Sequence, residues 1–454
     1  MATPEPFPAF NSSVDAVFKN SDADATRRRR KSSTLGGDIR AGDTGAPALA
    51  SSRASLSAGE PRTSSGLSTT KAGHKRASKK RRPQGFFARA GHIMVKHTYV
   101  LPAIILAFFG AGYLINPTES NPLHRFIFLS YKLPHEDLSK PVQYGKGLWD
   151  IAFVSFYTVV LSFTREFIMQ EILKPIARWV GLPRGKQARF MEQAYTALYF
   201  GILGPTGIYV MYRTPIWFFN TRGMYENFPH YTHDALFKFY YLFQAAYWAQ
   251  QAIVLVLGLE KPRKDFKELI CHHIVSLALI ALSYRFHFTY IGLPVYITHD
   301  ISDFFLASSK VLNYLDHWST GPYFFVFMCT WIYLRHYINL KIIWSLFTEF
   351  RTIGPFELDW DAGQFKCRLS QVITASLLSA LQALNLFWLF FIVRIAYRFI
   401  VHRQADDDRS EDENEPEEEE DEDEDEEEEP VKEKPSNGSA AQGKHNLRSK
   451  SAKK

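Results

Sequence analysis

Cysteine is scarce. Three residues in 454, Cys271, Cys329 and Cys367, exclude a disulfide scaffold. The first 30 residues are polar and hold no apolar core, so no secretory signal peptide is read there. Charge of one sign is also missing overall, with 53 Lys+Arg against 47 Asp+Glu and a net of +6, but this balance hides three segments. Residues 1–97 carry +11, residues 403–454 carry −12, and the 305 residues between them carry +7. The mean hydropathy of −0.17 therefore averages two polar tails and an apolar body. Within the body, runs of roughly 20 mostly apolar residues recur, the length that crosses a ~30 Å hydrocarbon core. An ordinary soluble enzyme and a single-pass anchor are both excluded.

The tails predict disorder. Residues 1–90 are rich in Ser, Ala, Gly, Thr and basic side chains and cannot bury enough apolar surface to offset chain entropy. Their basic clusters, Arg27–Lys31 and Lys75–Arg82, read as positive-inside flanks attracted to anionic headgroups, not as nucleic-acid contacts. The block from Asp406 to Glu429 is dense in like charge and stays solvated.

About eight spans are expected, near 98–115, 149–170, 195–212, 238–258, 268–286, 290–311, 322–346 and 371–400. The third is interrupted by Gly204-Pro205 and Gly207. An even count puts both termini on one side. The basic N-terminal flank makes that side the cytosol, together with the loop bearing Lys261, Arg263, Lys264 and Lys267. The predicted fold is an all-α polytopic membrane protein with disordered cytosolic tails. Its segments are a tail at 1–90, a first span and lumenal loop at 91–139, a membrane domain at 140–402 and an acidic tail at 403–454.

Ionisable groups inside spans are costly and mark function or a buried pairing. The fifth span holds His272 and His273; the sixth holds Asp300 and Asp303, which at i, i+3 share one helix face. Ser276, one turn after His272, is placed to steady it. A short loop makes these spans antiparallel neighbours, which allows His272 and Asp300 to meet. A buried polar network, a proton pathway, a metal site and acid–base or nucleophilic catalysis all fit such a set. Metal-dependent membrane hydroxylases need several histidine boxes, whereas the other close pair here, His230 and His233, falls in a predicted lumenal loop, so no metal is assigned.

His272-His273, Ser276, Ser283-Tyr284, Gly292, Asp300 and Asp303 together resemble the signature of the TLC-domain ceramide synthases, the longevity-assurance family. Further segments resemble the fungal branch: Trp-Phe-Phe-Asn-Thr at 217–221, Gln-Ala-Ala-Tyr-Trp-Ala-Gln-Gln at 244–251, Glu-Lys-Pro-Arg-Lys-Asp at 260–265, Ser-Asp-Phe-Phe-Leu at 302–306 and Trp-Ile-Tyr-Leu-Arg-His-Tyr-Ile-Asn-Leu-Lys at 331–341. The resemblance covers roughly residues 140–400. It departs in two respects: no homeobox-like segment lies between the first spans, and Ser276 stands where Thr is common.

The resemblance implies transfer of a fatty acyl group from acyl-CoA to the amine of a sphingoid base in the endoplasmic reticulum membrane, with no cofactor. It also implies a small single-span accessory subunit and allows a homo- or heterodimer. His272, His273, Asp300 and Asp303 become the expected catalytic set, with Ser276, Ser283 and Tyr284 in support. Lys261, Arg263, Lys264 and Lys267, at the cytosolic mouth, are expected to attract the CoA phosphates. Chain-length selection is expected in the lumenal segment 347–370. A very long acyl chain on dihydrosphingosine or phytosphingosine is the yeast-like expectation. The alternative is a non-catalytic TLC-domain protein that senses lipid or serves a translocon.

Overall fold

The computed structural model describes residues 94, 96–134, 139, 141–259 and 265–402. The tails read at 1–90 and 403–454, and Lys261, Arg263 and Lys264, lie outside the described residues.

Each expected span falls on a helix. In chain order these are α1 (Val100–Ile115), α2 (Trp149–Phe167), α3 (Arg184–Tyr212), α4 (Ala235–Val256), α5 (Phe266–Arg285), α6 (Thr289–Tyr314), α7 (Thr320–Trp331), α8 (Asn339–Thr348) and α9 (Arg368–His402). The run expected at 322–346 is α7 and α8 joined by a π-helical stretch, Ile332–Ile338. A second π stretch, Ile168–Leu173, extends α2 to Trp179. Among the described residues three helical segments are long and apolar enough to cross a membrane: Trp149–Trp179, Phe266–Arg285 and Arg368–Val401; α1 is apolar but shorter. The others are diluted by polar side chains that they bury, such as Lys238, Gln244 and Gln250 on α4 and His299, Asp300 and Ser302 on α6.

The Gly204-Pro205 interruption does not break α3, which runs through Pro205. The glycines instead set its packing. Gly201, Gly204 and Gly207 recur every three residues along α3 and face Phe304, Ile301 and Ile297 of α6. A Cβ at Gly201 would lie 3.2 Å from Phe304, and one at Gly207 would fall on the Tyr240 hydroxyl. Small residues let backbones approach where apolar solvent gives helices little reason to associate. α6 accordingly packs mainly along α3, while α5 packs against α4 and α9. Asp234 caps α4, its side chain accepting a hydrogen bond from the Phe237 amide at 3.1 Å.

The end carrying the α5–α6 turn is closed by buried charge. Lys238 and Asp150 form an ion pair at 2.7 Å. Lys238 also donates to the Ser130 and Gly145 carbonyls, at 2.9 and 2.7 Å. A two-stranded antiparallel pair, Gln143–Tyr144 with His233–Asp234, lies beside it. Lys146 reaches the His230 carbonyl at 2.9 Å and His287 Nδ1 at 3.4 Å. Burial, with repulsion from Lys238, lowers the Lys146 ammonium to about 7. Burial also lowers His230 and His287 to about 4 each, with Lys146 adding to the shift in both. Histidines held neutral in the fold but protonated when unfolded lose stability as pH falls through about 6.5 toward about 4. The melting temperature in detergent should therefore drop across that window, and less steeply in a His230→Gln/His287→Gln variant. An equal slope in the two proteins would show that other groups govern the acid limb.

Candidate active site

His272 and His273 lie one and a half turns into α5, both buried, at 5% and 9% exposure. Around His272 stand aromatic rings from three other helices: Trp248 of α4 at 5.5 Å, His299 of α6 at 6.4 Å and Trp388 of α9 at 5.2 Å between centroids. His272 Nδ1 is buried without a hydrogen-bond partner. His273 Nδ1 lies 2.9 Å from the Leu269 carbonyl. A carbonyl only accepts, so Nδ1 carries a proton.

Two cavities flank these histidines. One, of about 220 Å³, has a mixed polar wall that includes Gln251, Asp265, His272, His273, Lys310 and Arg335, at the end where α4 finishes and α5 begins. The other, of about 170 Å³, is almost wholly apolar and runs from Trp248, Ser276 and His299 toward Leu358, Trp360 and Phe365 at the opposite end. Trp248 belongs to both walls. The imidazoles thus line the polar vestibule, and Trp248, 5.5 Å from His272, is where that vestibule adjoins the hydrocarbon slot.

The aspartates face elsewhere than expected. Asp300 is fully buried, and its Oδ2 accepts from Tyr240 Oη of α4 at 2.9 Å and from the Gln244 amide. Its Oδ1 is buried without a partner, so no hydrogen bond joins it to His272. Asp303 accepts from Arg335 at 2.5 Å. Arg335 also donates to Ser302 Oγ at 2.6 Å and to Asn385 Oδ1 at 3.1 Å, and its guanidinium lies 4.1 Å over Trp331. The π stretch between α7 and α8 carries this arginine, and such bulges recur at functional sites.

Ser276 does not hold His272 but lines the apolar cavity. Ser283 pairs with Tyr241 Oη at 2.5 Å, and Tyr284 donates to Asp150 at 2.8 Å, so both belong to the network at the far end. Lys267 is exposed on the first turn of α5. Sequence reasoning passed over His299, Arg335 and the two tryptophans. Arg335 carried the same signal as His272, an ionisable group in an apolar run.

Residues 189–394 match the family model of the TLC domain shared by TRAM, LAG1 and CLN8 proteins. The sphingosine N-acyltransferase-like protein FUM17 of Gibberella moniliformis is 54% identical over 324 residues, 70% of this chain and 84% of that protein. The chain belongs to the TLC-domain sphingosine N-acyltransferase family. Sphingosine N-acyltransferase lac1 of Schizosaccharomyces pombe is 49% identical over 339 residues, 74% of this chain and 87% of its own length. Ceramide synthase LAG1 of Saccharomyces cerevisiae is 47% identical over 319 residues, 70% and 76%. As a member of this family the chain has its paired histidines inside the matched segment, as are Asp300, Asp303 and Arg335.

Proposed function

We propose that this chain is an acyl-CoA-dependent ceramide synthase of the endoplasmic reticulum membrane. It joins a very long fatty acyl group to the amine of dihydrosphingosine or phytosphingosine. The observation that carries this is the placing of His272 and His273 in the wall of a polar cavity that adjoins an apolar one at Trp248. An acyl-CoA is itself divided at its thioester, with a charged, water-loving half and a hydrocarbon half. Held with its chain in the apolar slot and its CoA in the vestibule, it presents the thioester carbon at the imidazoles. Membership of the family and the site's chemistry agree on this reading, and nothing favours a non-catalytic role.

The thioester is already activated, and the difficult partner is the amine. A primary alkylamine is an ammonium at neutral pH, like lysine with its ordinary value of ~10.4, and must lose a proton before it attacks. A neutral imidazole suits that task. Alternatively, one histidine attacks the thioester, and the amine then resolves the acyl-imidazole. An acylated peptide spanning His272, recovered after acyl-CoA is supplied alone, distinguishes the two routes. Asp300 and Asp303 are proposed as carboxylates that position the site through Tyr240, Gln244 and Arg335.

The same reading has eight spans, both termini cytosolic, and the vestibule open to the cytosol where CoA resides. A single-span accessory subunit and a dimeric assembly complete the proposal. Leu358, Trp360 and Phe365 at the far end of the slot support chain-length selection within 347–370. Lys261, Arg263, Lys264 and Lys267, before and at the start of α5, attract the CoA phosphates. Reversing charge at Lys264 and Lys267 should raise the KM for acyl-CoA several-fold, and an unchanged KM in correctly inserted protein would remove them from the binding path.

The deciding experiment supplies microsomes lacking endogenous activity with dihydrosphingosine or phytosphingosine and an acyl-CoA series. Ceramide production supports the assignment, and the series reads out chain length. No ceramide, with the accessory subunit also supplied, overturns it.

A further inference from the structure

One face of α6 carries Tyr296, His299, Asp300 and Asp303, spaced i, i+3, i+4 and i+7. Tyr296 and His299 both line the apolar cavity, where polar groups are few. Each ends in a buried polar atom without a protein partner, Tyr296 Oη and His299 Nε2. Their neighbours explain why no partner is available. The Tyr241 and Tyr240 rings lie 5.0 and 6.5 Å from Tyr296, but Tyr241 Oη is engaged by Ser283 and Tyr240 Oη by Asp300. His299 Nδ1 lies 2.8 Å from the Val295 carbonyl, so Nδ1 holds the proton and Nε2 of the neutral ring is an acceptor. Leaving a buried polar atom unsatisfied is costly, because water no longer bonds it and nothing else does. Two such atoms, one helical turn apart in the same apolar wall, with the His299 ring 6.4 Å from His272, are matched to a ligand that is itself polar at one end and apolar at the other.

We propose that His299 and Tyr296 receive the head of the sphingoid base, with His299 Nε2 accepting the proton its ammonium must lose and Tyr296 Oη bonding one of the two hydroxyls that flank that nitrogen. This rests on the acyltransferase reading above. The hydroxyls of a sphingoid base flank the amine on adjacent carbons, so groups about one turn apart, a rise of roughly 5.4 Å, reach both ends of the head. The protons balance. The ammonium gives one to Nε2, leaving an imidazolium and a neutral amine. The amine lone pair attacks the acyl carbonyl carbon, forming C–N as C–S breaks. The departing thiolate takes the second proton from nitrogen, and the imidazolium gives its proton to water once the products leave. If the acyl group passes through His272, the bond broken in the amine step is C–N of the acyl-imidazole, and that imidazole takes the second proton.

The assay is N-acylation by the full chain in microsomes, with dihydrosphingosine, its 1-deoxy analogue and its 3-deoxy analogue. Wild type sets the reference: no ceramide overturns the acyltransferase reading and this assignment with it. Tyr296→Phe removes only the hydroxyl and keeps the ring. It should raise the KM for dihydrosphingosine about tenfold or more, as expected for losing one buried hydrogen bond. The KM for acyl-CoA should stay as it was, and the preference for dihydrosphingosine over one deoxy analogue should fall to near one. A wild type indifferent to both hydroxyls, or a variant that keeps both preferences, overturns the Tyr296 contact. His299→Gln should lower kcat about 100-fold near pH 7, the lower end of the range for a lost proton acceptor. Its rate should recover as pH rises toward the amine's own range, because the free amine needs no base. A loss of equal size at every pH, or no loss, overturns the proton-accepting role. If His299→Gln fails to accumulate, His299→Asn takes its place in the same pH series, and Tyr296→Phe decides the headgroup contact independently.

Discussion

His272→Ala is expected to abolish ceramide formation, by at least about 1,000-fold, with little change in the amount of folded protein. The first half follows from position, because the ring lines the vestibule 5.5 Å from Trp248, the residue that the vestibule shares with the hydrocarbon slot. Removing an acid–base group alone costs ~10²–10⁴-fold in rate, and removing a nucleophile costs more. The second half follows from what the ring lacks. His272 Nδ1 has no hydrogen-bond partner, so truncation orphans no buried donor or acceptor on that side. What is lost is packing against Trp248 and Trp388 beside an existing cavity. Asp300 gives a less clean test. Its carboxylate accepts from Tyr240 and Gln244 in the core, and Asp300→Ala would strand the Tyr240 hydroxyl and take one of two acceptors from the Gln244 amide. Activity of His272→Ala within tenfold of wild type at equal expression would move the chemistry off α5 altogether. A dead, well-folded His272→Ala beside an unstable Asp300→Ala would separate the reacting group from the positioning group, which loss of activity alone does not do.

The apolar runs made the helices legible, because a span must be continuous in sequence to bury its own backbone polar groups. Where the runs weaken, the reason is local. Lys238, Gln244 and Gln250 dilute α4, and His299, Asp300 and Ser302 dilute α6, since these helices carry the buried networks. The paired histidines and aspartates stood out for the same reason, as charges in apolar surroundings. What spacing did not reveal is rotation about the helix axis. Asp300 and Asp303 share a face of α6, but which neighbour that face meets depends on Gly201, Gly204 and Gly207 drawing α3 against Ile297, Ile301 and Phe304. That contact turns Asp300 toward Tyr240 and Asp303 toward Arg335, away from the expected histidine partners. His299 precedes Asp300 in the chain, and only the packed structure separates a histidine facing the slot from one facing lipid.

Arg335→Met is expected to destabilise the protein by about 3–5 kcal/mol, the usual penalty for stripping one partner from a buried ion pair. The guanidinium is 2% exposed and satisfies Asp303, Ser302 and Asn385 at once, so three acceptors from two helices lose their donor. Adding Asp303→Asn should recover most of that loss, because a pair replaced by neutral groups no longer leaves a charge in the core. Melting temperatures of the two single variants and the double variant, in one detergent, close the cycle. Catalysis then separates two roles for Asp303 that stability alone merges. If Asp303 only neutralises Arg335, the stable double variant regains ceramide synthesis. If Asp303 and Arg335 together shape the vestibule wall beside His272 and His273, the double variant folds and stays at least tenfold slower than wild type. The second outcome is expected, because both side chains line the vestibule that receives the CoA end of the substrate. The loss should therefore appear chiefly in the KM for acyl-CoA, with the KM for the sphingoid base held near its wild-type value.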